Sequence, residues 1–225
     1  MDINLIDVLE SVEKEGAVIK YNGAEGMIVR LSDGTIASDC ADGAFFCKKC
    51  EELGLDFSHC TIKSRALLDY ILENYKVKRI NYCTQWVYTK EQAPEADFTG
   101  IELLHTEDLP LAGAHYGLLQ NSTEYLTMQR KIGRVWGLYV ENALAGFIGM
   151  HTEGSMGMLE ILPEYRRRGY AYRLECFLVD WFLKAGRVPY CHVIDGNEAS
   201  VALQKKVGLV RAEKPSYWLS GVEKK

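Results

Sequence analysis

Leu162-Pro163-Glu164-Tyr165-Arg166-Arg167-Arg168-Gly169-Tyr170-Ala171 decides how this chain is read. An apolar run over 156–162 reads as a strand, and Leu174, Leu178, Trp181, Phe182 and Ala185 share one face of a helix expected over 169–185. The quoted segment is the turn between them. Three arginines at the start of a helix oppose the helix dipole, at a cost of about 0.3–1 kcal/mol each when exposed. An anion removes the conflict, because free backbone N–H groups and guanidinium groups can then share it. Gly169 lets the backbone come close, and the small Ala171 leaves room beside it. The alternative is a solvated basic turn. No Gly-x-x-x-x-Gly-Lys-Ser/Thr loop and no dinucleotide fingerprint occurs.

Working outward, the second half reads as strand 101–104, helices within 106–119 and 122–131, and strand 135–140. A tight Glu141-Asn142 turn then leads into strand 144–151. After the long helix come strand 190–194, helix 198–207 stopped by Gly208, and a strand over 209–218. The first half reads as helix 5–12, strands 17–21, 27–31 and 35–37 with turn signals at Asn22-Gly23 and Asp33-Gly34, helix 44–53, strand 60–62, helix 64–75 and strand 80–88. The polar run 90–99 with Pro94 is the linker candidate, giving an N-terminal α/β domain over 1–95 and a second domain over 99–221.

Composition narrows the function. Hydrophobic residues at 48% and charged residues at 25% fit a folded soluble protein. A formal net charge of −5 excludes a dedicated nucleic-acid binder, which needs a basic face. No basic N-terminal region precedes an apolar stretch, and no apolar run approaches the roughly 20 residues that cross a bilayer. Seven cysteines without a regular framework read as free thiols, so the expected location is cytoplasmic, with no membrane partner. Cys47-Lys48-Lys49-Cys50, with Cys40, His59 and Cys60 nearby, invites a zinc reading. One CxxC pair falls short of four convergent ligands. Cys47 and Cys50 share a helical face beside Phe45 and Phe46, as buried thiols would, so no metal is expected.

Arg166-x-x-Gly169-x-Ala171 resembles the pyrophosphate loop of the GCN5-related N-acetyltransferase (GNAT) superfamily. Asn197-x-x-Ser200-x-x-Leu203-x-x-Lys206-x-Gly208-Leu209 resembles its second signature, in the right order and spacing. Met156-Gly157-Met158, Leu162-Pro163-Glu164-Tyr165-Arg166 and Tyr190-Cys191-His192-Val193 look closest to the glycine N-acyltransferase and FR47-like branch. The resemblance implies an α/β (α+β) fold with a mixed, mostly antiparallel sheet flanked by helices, carrying a smaller N-terminal α/β half.

It also implies a function: transfer of an acyl group, most simply acetyl, from acyl-CoA to a primary amine of a small molecule such as an amino acid. The amine would attack directly in a ternary complex, in a monomer or homodimer. By position, Leu159 would aim its N–H at the thioester carbonyl, Ile161 would pair with pantetheine, and Arg166, Arg167, Arg168, Gly169, Tyr170 and Ala171 would cradle the pyrophosphate. Asn197 would touch the pantetheine arm, or simply cap the helix after it. Many superfamily members place a tyrosine acid where Gln204 stands, and glutamine cannot take that role. Glu153, Glu160 and His192 are therefore alternative candidates for proton transfer. Each has a plain structural counterpart: turn polarity for Glu153, an ion-pair partner for Glu160 and a hydrogen-bonded core residue for His192. Tyr82, Trp86 and Tyr88 are candidate walls of an acceptor pocket. A non-catalytic acyl-CoA-binding regulatory module, kept open by Gln204, and acetylation of a protein amine are the competing expectations.

Overall fold

A computed structural model of the chain describes residues 2–117 and 121–225. The end of the helix expected over 106–119 lies outside the described residues. The chain divides into two compact units, one of residues 1–87, 192–198 and 211–225, the other of residues 88–191 and 199–210.

In the first unit, α1 (Ile6–Lys14) leads into β1 (Val18–Gly23), β2 (Gly26–Arg30) and β3 (Ile36–Ser38). Then come α2 (Gly43–Glu52), β4 (His59–Ile62), α3 (Arg65–Asn74) and β5 (Tyr75–Val87). Asp42 caps α2 by accepting from the Phe45 N–H, and Ser64 caps α3 through Leu67. The strand order is β1-β2-β3-β4-β11-β5, where β11 is Val210–Lys224. β1–β2, β2–β3 and β4–β11 pair antiparallel, and β3–β4 pair parallel. Alternation along β2 sends Ile28 to one face, among Phe46, Leu67, Leu68 and Ile71, and Val29 to the other, among Val8, Ala17 and Ala37.

Three expectations shift here. The first hairpin turns at Ala24-Glu25, with Gly23 facing Gly26 across the ladder, and Asn22 stays in the strand. Strand β5 starts five residues early, because Tyr75, Val77 and Ile80 pack on the core while Lys76 and Lys78 between them stay exposed. Strand β11 runs six residues beyond Trp218, since Ser220 pairs with His59 and the Val222 N–H donates to Ser58 O.

The second unit holds β6 (Ile101–Leu103), a 3-10 turn, α4 (Leu109–His115), α5 (Ser122–Lys131), β7 (Val135–Val140), β8 (Ala143–Met150) and β9 (Met156–Ile161). Next are α6 (Tyr170–Lys184), the start of β10 (Tyr190–Ile194) and most of α7 (Glu198–Val207). Its strand order is β10-β9-β8-β7-β6, antiparallel except for the parallel β9–β10 pair. Glu141 and Asn142, at φ 51° and 64°, form the left-handed two-residue turn between β7 and β8. Val135 faces Leu104, Leu109 and Leu126 beneath α4 and α5. Its neighbour Trp136 faces α6, with its ring 5.3 Å from Trp181 and 5.7 Å from Phe177. Among the described residues no helix is long and apolar enough to cross a membrane.

Candidate active site

Strand β9 leads directly into the arginine turn. Between the pairs Phe147–Glu160 and Gly149–Gly157, two residues of β9, Met158 and Leu159, stand opposite one of β8, with Met158 at φ 52°. This is a β-bulge, which takes backbone groups out of the ladder and re-aims them. On its other side β9 meets β10 at one ladder pair, Met156–Cys191. Leu159 thus lies in the bulge, Ile161 is back in the ladder opposite Gly146, and both lie beyond the Met156–Cys191 pair with β10.

After Leu162, buried in the core, Pro163–Tyr165 make a 3-10 turn. Arg167 at φ 60° and Gly169 at φ 82° are left-handed, while Arg168 between them is not. Successive residues of alternating hand are the backbone pattern that gathers N–H groups into an anion nest. It opens onto α6, whose N-cap Gly169 supplies no side-chain cap and whose first turn holds no acidic residue. A Cβ at Gly169 would meet no atom within 4 Å. The nest and the free amides of α6 together suit a diphosphate. Arg167 and Arg168 are exposed. Arg166 instead turns back, its Nε donating to Ile161 O at 2.9 Å and its Nη2 meeting Glu160 Oε1 at 3.0 Å. Arg166 therefore ties the loop to β9, and Glu160 is an ion-pair partner.

The other candidates fall in different surroundings. Glu153 lies in the β8–β9 turn, where Ser155 Oγ donates to its Oε1 at 2.5 Å and Tyr190 Oη donates to its carbonyl at 2.9 Å. His192 belongs to the first unit, with Nε2 3.4 Å from Asp7 Oδ2 and its ring 5.2 Å from Trp218. Asn197, also in the first unit, donates its N–H to Ile194 O at 3.1 Å just before α7. Trp86 and Tyr88 are buried and Tyr82 is exposed. Cys40, Cys47, Cys50 and Cys60 pack among Phe46, Leu67 and Ile71, where burial pushes the Cys50 thiol up to about 12. Among the described residues no three His, Cys, Asp or Glu side chains converge as metal ligands.

Gln204 is buried on α7 and meets Glu175 of α6, a buried carboxyl that sequence reading passed over. Burial pushes Glu175 up to about 7, and the hydrogen bond from Gln204 only partly opposes this. A raised carboxyl makes the folded state bind the extra proton, so stability falls between the unfolded value near 4.3 and about 7. Glu175→Gln is expected to raise the melting temperature at pH 8 and to leave it unchanged at pH 4, as read by thermal denaturation. Sequence reading also missed Tyr125 and His151, which meet at 3.0 Å beside Gly157.

Residues 100–209 match the Acetyltransferase (GNAT) family model. They form a GNAT acetyltransferase domain. Family members use acetyl-CoA as co-substrate, and the nest, the helix start and the bulged strand of this GNAT domain fit that ligand. Solved structures agree in fold. A Drosophila protein from a structural-genomics consortium superposes with a TM-score of 0.66 at 17% identity, over 89% of this chain and 74% of that one. A GNAT-family acetyltransferase from Colwellia psychrerythraea gives 0.56 at 16% identity, over 89% and 83%. A GCN5-related N-acetyltransferase from Kribbella flavida gives 0.58 at 10% identity, over 97% and 94%. No curated protein matches in sequence.

Proposed function

We propose that this protein moves an acyl group, acetyl first among the candidates, from acyl-CoA to the primary amine of a small molecule such as an amino acid, by direct attack in a ternary complex. The observation that carries the reading is the alternating nest at Arg167 and Gly169, placed one loop after the bulge at Met158-Leu159. Bound acyl-CoA supplies an electrophilic thioester carbonyl and a thiolate leaving group. The chain's share is orientation and charge. The nest and the first-turn amides of α6 hold the diphosphate, with Arg167 and Arg168 adding positive charge. The Leu159 N–H, at the bulge, is the donor for an oxygen that gains negative charge, and Ile161 holds the arm beside it. The branch resemblance and the acidic net charge support a small amine acceptor, neutral or cationic.

The test is a screen of amino acids, polyamines and peptide N-termini with acetyl-CoA, following thiol release and the mass of the product. The expected result is an acylated small amine at a rate that saturates with both substrates. Acylation of peptides alone would move the reading to a protein acceptor. Tight acetyl-CoA binding without turnover on any amine would favour the non-catalytic module, for which the buried Gln204 is the structural argument.

A further inference from the structure

We infer that Tyr125 and His151 form the proton-transfer pair of the site, with Tyr125 touching the attacking amine and His151 acting through it. The inference rests on the acyltransferase reading. Tyr125 stands on the first turns of α5, and His151 follows the last residue of β8. Their side chains meet at 3.0 Å between Tyr125 Oη and His151 Nδ1, with the rings inclined by 29°. Three features make this an organised pair. The Thr152 N–H donates to Tyr125 Oη at 3.3 Å, which leaves the phenol hydrogen for Nδ1. Gln129 Nε2 donates to Thr152 Oγ1 at 2.9 Å and pins the turn that carries both groups. Gly157 makes room for the imidazole, since a Cβ there would lie 2.3 Å from His151 Nε2.

Gly157 is also the residue immediately before the bulge, so the pair lies against β9 where the backbone leaves the ladder. Both side chains are half-buried, open enough for a substrate amine and sheltered enough to hold their geometry. The three carboxylate and imidazole candidates have other partners: Arg166 for Glu160, Asp7 for His192 and Ser155 for Glu153. The neighbouring phenol of Tyr116, from the end of α4, interacts with Tyr125 and with Glu153 of the β8–β9 turn. Burial, with Tyr125 and Glu153, raises Tyr116 well above the usual phenol range and keeps it neutral.

In the step, Tyr125 Oη accepts a proton from the attacking amine as its own proton passes to His151 Nδ1. The amine lone pair forms the C–N bond, and the C–S pair leaves on sulfur as thiolate. His151 then returns its proton to solvent, from which the thiolate takes one, so protons and charge balance.

The first readout needs no acyl-CoA. Imidazole 15N NMR of the full chain is expected to show neutral His151 protonated at Nε2 with Nδ1 accepting, a bias lost in Tyr125→Phe. In the transfer assay Tyr125→Phe is expected to lower kcat by about 100-fold or more. Acetyl-CoA affinity by titration stays unchanged, which also shows that the variant is folded. His151→Gln is expected to remove the acidic limb of the pH–rate profile. A proton on Nδ1 in the wild type overturns the relay. So does an active wild type whose Tyr125→Phe variant keeps its rate and pH profile, and that result leaves the acyltransferase reading standing. A wild type with the expected NMR tautomer but no transfer to any amine removes that reading and, with it, the inference.

Discussion

Asp7→Ala is expected to destabilise the protein by about 3–5 kcal/mol at neutral pH, because it strands a buried ammonium. Lys63 Nζ lies 2.8 Å from Asp7 Oδ2, with the two side chains 2% and 8% exposed. The same Nζ donates to Gln85 Oε1 at 3.1 Å, and Gln85 Nε2 donates to Ile3 O at 2.5 Å. Burial alone would push the Asp7 carboxyl up, but Lys63 and His192 together outweigh it and hold the group at about 2. Since the folded value lies below the unfolded one near 3.9, the stabilisation is complete above that pH and is lost as pH falls through about 2. Urea unfolding at pH 7, 4 and 2 checks both parts. The difference between wild type and Asp7→Asn should be large at pH 7 and vanish toward pH 2. Pairing Asp7→Leu with Lys63→Met should recover much of the loss, since the buried ammonium is removed together with its carboxylate. A difference that does not change with pH would contradict the assignment.

Gly169→Glu is expected to abolish acetyl-CoA binding while the chain stays folded. The position is left-handed at φ 82°, which costs a non-glycine residue about 1–2 kcal/mol, a loss the domain can absorb. The new side chain meets open space, not core. Its carboxylate, however, enters the concavity that would hold a diphosphate, and like charges at close range oppose binding. Gly169→Asn, uncharged and tolerant of the left-handed region, should keep most of the affinity. Thermal denaturation beside calorimetric titration separates a lost site from a lost fold. Equal weakening in both variants would mean that backbone shape, not charge, controls the loop.

The parts of this molecule that sequence reading reached are those written in neighbouring residues. The arginine turn placed β9 and α6, since basic residues and a glycine between an apolar strand and an amphipathic run mark the join of strand and helix. Glu141-Asn142 between apolar runs named its own turn. Where several signals compete locally, the reading slips. Asn22-Gly23 is a strong turn pair, yet Gly26 takes φ 121° with its Cα against the Cys40 backbone, where a Cβ would lie 2.9 Å away, and this moves the turn to Ala24-Glu25. The exposed lysines of β5 masked its alternation until the core under Tyr75 and Val77 was known. Side-chain pairing is the least legible layer. Tyr125 and His151 are 26 residues apart, and no local pattern joins a helix tyrosine to a histidine at a strand end. Nor does any spacing announce that His192 meets Asp7, or that Glu175 is buried against Gln204.

On the proposed reading, the loop after β9 holds an acyl-CoA. Calorimetric titration of the full chain with acetyl-CoA, in wild type and Gly169→Glu, tests it most directly. Saturable binding in the micromolar range, as for typical enzyme substrates, is expected in the wild type, and its loss in the variant. A well-folded wild type that binds no acetyl-CoA, or a variant that binds it equally well, would contradict it.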